Sequence, residues 1–494
     1  MEYDAKSENL KHNKRVLAYD LQVKQILDNL NKEAAKIVER TGVEPSLDDI
    51  FKFSDFPETN KAIDNLRKKY VSDMKSLIYA GTSSEWNKSN ELQDALVNHV
   101  FGKLISQVNG EKRERLFQKN QAQLKAFQER RTKGLDLSKN LWNLSGEYQG
   151  FLETAISVGL ENGTSAIQLS KQLSKYLTDF DKLKSAYTEK FGKAAKVKNC
   201  QYDSVRLART EINIAYKTSD FLRWKDMPFV LGIEIQLSKS HPEKDICDDL
   251  KGEYPANFKF TGWHPNCFCF ATPILPTTEQ MSDYLNNDMP DGYFDDKSTK
   301  QVPDEFTKWV DNNAERMAKS SSLPYFLKDN FNGERIKEYA RLKENKEYTD
   351  VKFNYSNSGL KATHKRHQFD KDTGKYEKSV QKIGFQHGYS VILGNESSNT
   401  FMKKHADGYW NGIKFEIKTC ENITANNLKR GIVHSADKKA PVSVLFIPDR
   451  LEFPSDDLIN EAIRKYNGEV RKYGKFNVSK LIVMSSNKIK TYSL

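Results

Sequence analysis

A chain of 494 residues is longer than one hydrophobic core organises, so roughly two to four domains are expected. Charged residues make up 29% but aromatics reach 11%, which excludes a disordered chain, and the absence of a long apolar run excludes a membrane-spanning helix. The net charge of +11 is unevenly spread, because residues 351–494 hold 25 Lys+Arg against 14 Asp+Glu and so carry the whole excess. The opening Met1-Glu2-Tyr3-Asp4 has no signal-peptide pattern, which predicts synthesis in a cytoplasm without standard export. In such a compartment the five cysteines point to metal before disulfide.

From the start to about residue 198 the pattern is helical. Val23, Ile26, Leu27 and Leu30, and later Ala95, Leu96, Val100 and Phe101, fall at helical spacing. Ser46 is placed to cap a helix whose first turn holds Asp48 and Asp49. A break near Gly134 precedes a restart that Ser138 could cap, and residues 152–177 read as two amphipathic helices joined at 162–165. His99 and the aromatics of this part read as helix-face and core residues, and no catalytic constellation appears.

Residues 204–276 differ in character. A helix carrying Arg206, Arg209 and Glu211 runs toward Trp224, and residues 230–237 alternate as a strand does. Two clusters follow, His241 with Cys247, then His264 with Cys267 and Cys269. These five residues could surround a tetrahedral zinc of structural type. Cys267-x-Cys269 lacks the usual C-x2-C spacing, however, and a buried or cross-linked thiol cluster is an equal reading. The run Gly134-Leu135-x-Leu137-Ser138-x-x-x-Trp142, then Gly159 and Gly163-Thr164-Ser165-Ala166, Arg209-Thr210-Glu211, Asp245-x-Cys247 and His264-Pro265-Asn266-Cys267-x-Cys269 together resemble the phage Mu F-like minor head proteins. The likeness spans 118–276 and departs from the family at Phe268, where a basic residue is usual. It implies an α+β middle domain, portal and capsid proteins as partners, a place in the phage head, and a structural role for the His/Cys cluster.

Residues 277–354 are turn-rich, with short helices expected at 304–319 and 333–345, and read as a connector. Beyond residue 355 the pattern becomes α/β. Helix 375–387 contains Glu377, residues 389–393 form a strand, and Asn411-Gly412 is a strong signal for a tight hairpin. Helix 423–435, strand 442–447, helix 456–473 and strand 481–484 follow.

A two-residue turn at Asn411-Gly412 sets Trp410 against Ile413 and Asp407 against Glu416. Two acids facing one another repel, and a hard divalent cation such as Mg²⁺ relieves the repulsion. Lys418 lies on the Glu416 face, His405 falls opposite Lys418 where it could contact phosphate, and Ile413, Phe415 and Ile417 face the apolar side. Asn427, Arg430 and His434 recur at helical spacing and could grip a nucleic-acid backbone or base. Cys420 reads as packing. The bland alternatives are a solvated hairpin, an exposed helix acid at Glu377 and a strand-edge histidine at 405.

Asp407 and Glu416-Ile417-Lys418 resemble the PD-(D/E)xK nuclease core, with Ala406 where the motif often has proline. The element order of 363–494 is similar to the C-terminal toxin nucleases of contact-dependent inhibition systems, many of which cut transfer RNA. The resemblance implies a restriction-endonuclease-like domain and hydrolysis of a phosphodiester. Asp407 and Glu416 would hold Mg²⁺, Lys418 would position the nucleophile, and Glu377 would hold the metal or a water. The chain is thus expected to be multidomain: a helical region 1–117, a Mu F-like domain 118–276, a connector 277–354 and a nuclease domain 355–494. It is expected to be a phage or prophage minor head protein carrying a polymorphic-toxin nuclease, made and active in a bacterial cytoplasm, with RNA as substrate, an immunity protein as partner and no membrane. The alternatives are a purely structural head protein with a non-catalytic C-terminal domain, and a bacterial toxin that borrowed the helical part.

Overall fold

A computed structural model describes residues 3–41, 50–131, 134–159, 165–238, 244–395, 406–474, 476 and 478–494. The chain divides into two compact units, Met1–Thr299 and Lys300–Leu494, and combines helices with two sheets. Among the described residues no helix is long and apolar enough to cross a membrane.

The first unit begins with two long helices, α1 (Ala5–Arg40) and α2 (Pro57–Phe101), followed by α3 (Gly110–Leu116) and α4 (Gln121–Glu129). Helices α5 (Leu137–Gly159), α6 (Ala166–Thr178), α7 (Phe180–Phe191) and α8 (Cys200–Trp224) complete the helical body. Their apolar stripes form one core that includes Val23, Leu27, Leu30, Tyr70, Leu141, Phe151 and Leu173. Helix starts follow capping chemistry. Asp4 accepts from Ser7 N, Ser165 forms a capping box with Gln168, and Asn199 accepts from Tyr202 N. Asp136, not Ser138, opens α5, because its carboxylate reaches Lys139 N, and Ser46 lies outside the described residues.

Helix α8 carries a line of buried polar contacts. Asn213 Oδ1 lies 2.9 Å from His12 Nε2, whose Nδ1 lies 2.7 Å from Glu85. Asp220 Oδ1 accepts from Ser89 and Gln93, and Arg223 reaches Asn90, Asp94 and the Leu116 carbonyl. After α8 come β1 (Gly232–Gln236), α9 (Ile246–Leu250), β2 (Gly252–Tyr254), β3 (Phe270–Ile274) and α10 (Thr278–Asn286). The three strands make an antiparallel sheet of order β2-β1-β3.

The second unit starts with α11 (Asp304–Asn312), α12 (Ala314–Lys319), α13 (Tyr325–Asn330) and α14 (Gly333–Glu344). Strands β4 (Tyr348–Asn354) and β5 (Gly359–His364) follow, then α15 (Gly374–Gln386), β6 (Ser390–Leu393), β7 (Gly408–Trp410) and β8 (Ile413–Thr419). The unit ends with α16 (Ala425–Asp437), β9 (Val442–Phe446), α17 (Asp456–Tyr473), β10 (Lys480–Ser485) and β11 (Lys488–Ser493). All eight strands form one sheet in the order β11-β10-β9-β8-β7-β6-β5-β4. Its centre, β8-β9-β10, is parallel, and the β6-β7-β8 ladders are antiparallel.

The expected connector is corrected in part. Residues 300–354 belong to this second unit, with β4 completing the sheet edge and α14 packed against it through Ile336, Tyr339 and Ala340.

The sheet buries a different apolar set on each face. Val380 and Ile383 of α15 pack with Trp410, Phe415, Ile417, Val442 and Val444. Leu428 and Ile432 of α16 pack with Leu445, Leu481 and Val483, joined by Ile459 and Tyr466 of α17. Strand alternation then fixes which layer each polar side chain enters.

Candidate functional site

The β7–β8 hairpin turns through Asn411 and Gly412 at φ of 50° and 80°, the left-handed pair a type I′ turn needs. Trp410 pairs with Ile413 and Gly408 with Phe415, so the next position in register sets Asp407 across from Glu416. Two neighbours make this placement specific. Asn411 Oδ1 accepts from Ser390 N at 2.9 Å and from Arg335 Nη2 at 3.0 Å, tying the turn to β6 and α14. Gly408 lets the β6 and β7 backbones close up, since an added Cβ would overlap the Ile392 carbonyl oxygen.

Asp407 is half-buried and Glu416 is only 3% exposed. Asp407 Oδ2 accepts from Ile417 N at 2.6 Å, so this side chain extends the ladder one step past the last strand pair. Glu416 points into the α16 layer. Its Oε1 lies 2.9 Å from His434 Nε2 and 3.4 Å from Lys438 Nζ, while its Oε2 is buried without a hydrogen-bond partner among the described residues. A buried, unsatisfied carboxylate oxygen is costly unless something cationic meets it. The donor set, two carboxylates facing across a hairpin with one oxygen orphaned, fits a hard divalent cation. Lys418 lies on the Glu416 face, is exposed, and makes no ion pair among the described residues.

Other expected site residues fall differently. Asn427, Arg430 and His434 do not act as one free face. His434 is bound to Glu416, and Asn427 Nδ2 turns back to the Asn422 carbonyl at 3.5 Å, leaving Arg430 exposed. Glu377 sits on α15, in the opposite layer from α16, where its Oε2 lies 2.9 Å from His367 Nε2. His405 lies outside the described residues. Burial pushes the Cys420 thiol up to about 12, in keeping with its place in the α16–α17 core. Sequence reasoning missed Lys438 and His367. Lys438 lies one helical turn beyond His434, a spacing that could have paired it with the same acid, whereas nothing local marks His367.

In the first unit, α9 presents Cys247 because Asp245 caps it and closes a box with Asp248. Cys247 Sγ is 3.2 Å from His264 Nε2 and 3.8 Å from Cys267 Sγ, and these three ligand atoms all lie within 4.8 Å of one another. Two sulfurs bound to one tetrahedral zinc at about 2.3 Å stand about 3.8 Å apart, whereas a disulfide would draw them to about 2.05 Å. All five cysteines are free.

Hydrogen bonds from Cys247 and then Cys269 hold the Cys267 thiol well below its ordinary range, with Lys217 adding to the effect. His264 Nδ1 donates to the Pro265 carbonyl at 2.7 Å, which leaves Nε2 as the ligand nitrogen beside Cys247. Asn213 and Lys217 both donate to the Cys267 carbonyl, at 2.6 and 3.0 Å. Cys247, His264 and Cys267 fit a zinc as three of its ligands. His241 lies outside the described residues.

Comparison of the chain with protein-family models, with curated proteins and with solved structures returns no match.

Proposed function

We propose that the second unit is a metal-dependent nuclease and that the first is a phage head protein of Mu F-like type that carries it. The observation on which the nuclease reading rests is the orphaned Glu416 Oε2, buried across the hairpin from Asp407. The +11 excess on residues 351–494 supports a polyanionic substrate. A divalent ion bound there would supply Lewis-acid stabilisation of a phosphodiester and an activated water.

The chain's own residues have separable tasks in this reading. Asp407 and Glu416 bind the ion, and the amide of Ile417 fixes the Asp407 carboxylate. His434 and Lys438 hold Glu416 in one rotamer. Lys418, exposed on the same face, meets the phosphate or orients the nucleophile. In the first unit Cys247, His264 and Cys267, with Cys269 as the fourth ligand, would hold a zinc that ties α9 to the segment before β3, a structural task.

The test incubates the full chain with total RNA and with plasmid, with Mg²⁺ or with a chelator. Mg²⁺-dependent cleavage that disappears in Asp407→Ala and Lys418→Ala supports the proposal. No cleavage by wild type, or unchanged cleavage by those variants, favours the second reading, a non-catalytic head protein. Two contacts favour that alternative: His434 and Lys438 already meet Glu416 Oε1 without an ion. Transfer RNA as substrate rests only on the likeness to contact-dependent toxins, and a digest of total RNA resolves it.

A further inference from the structure

We infer that Tyr409 of β7 is a base-stacking platform, and that the site beside it takes single-stranded rather than duplex nucleic acid. The inference deepens the nuclease reading above and rests on it for the identity of the site. Residues paired across neighbouring strands present their side chains to one face of a sheet. Tyr409 pairs with Lys414 on one side and with Ile392 on the other. Lys414, Glu416 and Lys418 alternate along β8, so Tyr409 shares the face of the two carboxylates. Asp407 lies two residues before it, about 7 Å along an extended chain. A base held on Tyr409 therefore sits next to the phosphate that the carboxylate pair would meet.

That face is open at β7. Ile392 pairs with Ala362, two residues along β5 from Leu360, and Leu360 pairs with Phe353 of β4. Phe353 packs its ring on Tyr339, so α14 lies on this face over β4 and β5. Helix α16 covers β8 and β9 from the same side, through His434 and Lys438 on Glu416. Strand β7 runs between the two helices, and Tyr409 is 39% exposed there. Tyr348 and His364, directly paired with their rings edge-on at 5.1 Å, line the α14 side of the gap. Burial pushes the Tyr348 hydroxyl up and the Tyr409 hydroxyl adds to it, so the two phenols stand near one another.

The charge around this groove fits a phosphate backbone. Lys414 and Lys418 are exposed on the face, and Arg366 is exposed just past β5, at the carboxyl end of the parallel pair β5–β6. None of the three makes an ion pair among the described residues. The nearby acids are engaged: Glu338 Oε2 lies 3.1 Å from Ser390 Oγ, and Glu347 lies 3.8 Å from His364 Nε2. One exposed ring set among cations binds a single strand by stacking and charge together, whereas the base faces of a duplex are already stacked on each other. A protein partner would call for a broader apolar patch than one phenol supplies.

The test measures binding by the full chain to fluorescein-labelled single strands of RNA and DNA and to the matching duplexes. No Mg²⁺ is added, which withholds the ion that cleavage needs. Wild type is expected to bind single strands at least about ten-fold more tightly than duplexes, and Tyr409→Ala to lose roughly five- to hundred-fold of that affinity. Duplex binding then stays within about two-fold, and Tyr409→Phe keeps wild-type behaviour. Lys418→Ala weakens both strand forms alike and lowers the salt slope by about one. Thermal midpoints are read alongside; should Tyr409→Ala unfold, Tyr409→Leu keeps the bulk without the ring and must show the same loss. Equal wild-type affinity for both strand forms, unchanged single-strand binding in the alanine or leucine variant, or an equal loss in Tyr409→Phe each overturns the inference. Absence of binding to any strand does so too, and leaves the groove to a protein partner. Failure of the nuclease reading looks different: the chain prefers single strands through Tyr409 yet cuts nothing once Mg²⁺ is supplied, a result that leaves the stacking platform standing.

Discussion

Replacing Glu416 by glutamine tests the metal site without needing a substrate. In wild type the carboxylate is 3% exposed, with Oε1 shared by His434 and Lys438 and Oε2 unsatisfied. The side chains of His434 and Lys438 are 40% and 22% exposed, so solvent screens these contacts, and losing them costs on the order of 1 kcal/mol. Removing an unsatisfied buried anion offsets part of that cost. In chelator the variant is therefore expected within about 1 kcal/mol of wild type.

Divalent ion separates the two proteins. An ion at about one hundred times its dissociation constant stabilises the folded state by about 2.7 kcal/mol, because it binds the native form alone. For a unit of this size that is roughly 5–10 °C in Tm. Scanning calorimetry of the full chain with EDTA, Mg²⁺ and Mn²⁺ should show this rise in wild type, and Glu416→Gln should lose nearly all of it. An equal rise in both proteins, or none in wild type at millimolar ion, refutes the assignment of Glu416 as a ligand.

Three further outcomes are expected. Burial pushes Asp220 up to about 7 from its ordinary 3.8, so the folded chain keeps this proton between those pH values while the unfolded chain has released it. Its contribution to stability is full below pH 3.8 and falls away as pH rises to about 7, so Asp220→Asn should flatten denaturant stability between about pH 4 and 8 by up to about 4 kcal/mol; an unchanged slope refutes it. Purified protein should carry about one zinc per chain by elemental analysis, and Cys267→Ser should lose it; metal-free wild type with readily alkylated thiols at Cys247, Cys267 and Cys269 contradicts the cluster. Gly408→Ala should destabilise the second unit by about 1–3 kcal/mol, as a Cβ there forces β6 and β7 apart, and an unshifted melting transition means the strands tolerate it.

Much of the second unit was legible because its signals are local. Asn411-Gly412 announces its turn through backbone preference alone, and that turn fixes which residues pair for the rest of the hairpin. The α16 and α17 segments show their period in a dozen or so residues. The edge strands β4 and β11 and the neighbouring inner strand β5 were not legible, since Thr349, Lys352, Lys361, Lys488 and Lys490 make them polar, and their strand state comes from pairing partners. Site partners failed for the same reason. Spacing places Asn427, Arg430 and His434 on one helix face, but only the sheet below decides that His434 meets Glu416. His367 and Glu377 are ten residues apart, and their contact depends on a loop that folds back over the start of α15. The Cys/His cluster was visible as composition, whereas the participation of Asn213 and Lys217 needed three dimensions.

Helix α8 leaves one mechanical consequence. Along its length Asn213 grips His12 and the Cys267 carbonyl, Lys217 the same carbonyl, Asp220 the Ser89–Gln93 pair and Arg223 Asp94, each at a fixed rotation. Sliding the rod by a single residue would unseat every one of these holds together, so slippage is forbidden where a purely greasy interface would allow it. Its amides should exchange with deuterium as a block, released only when the whole first unit opens.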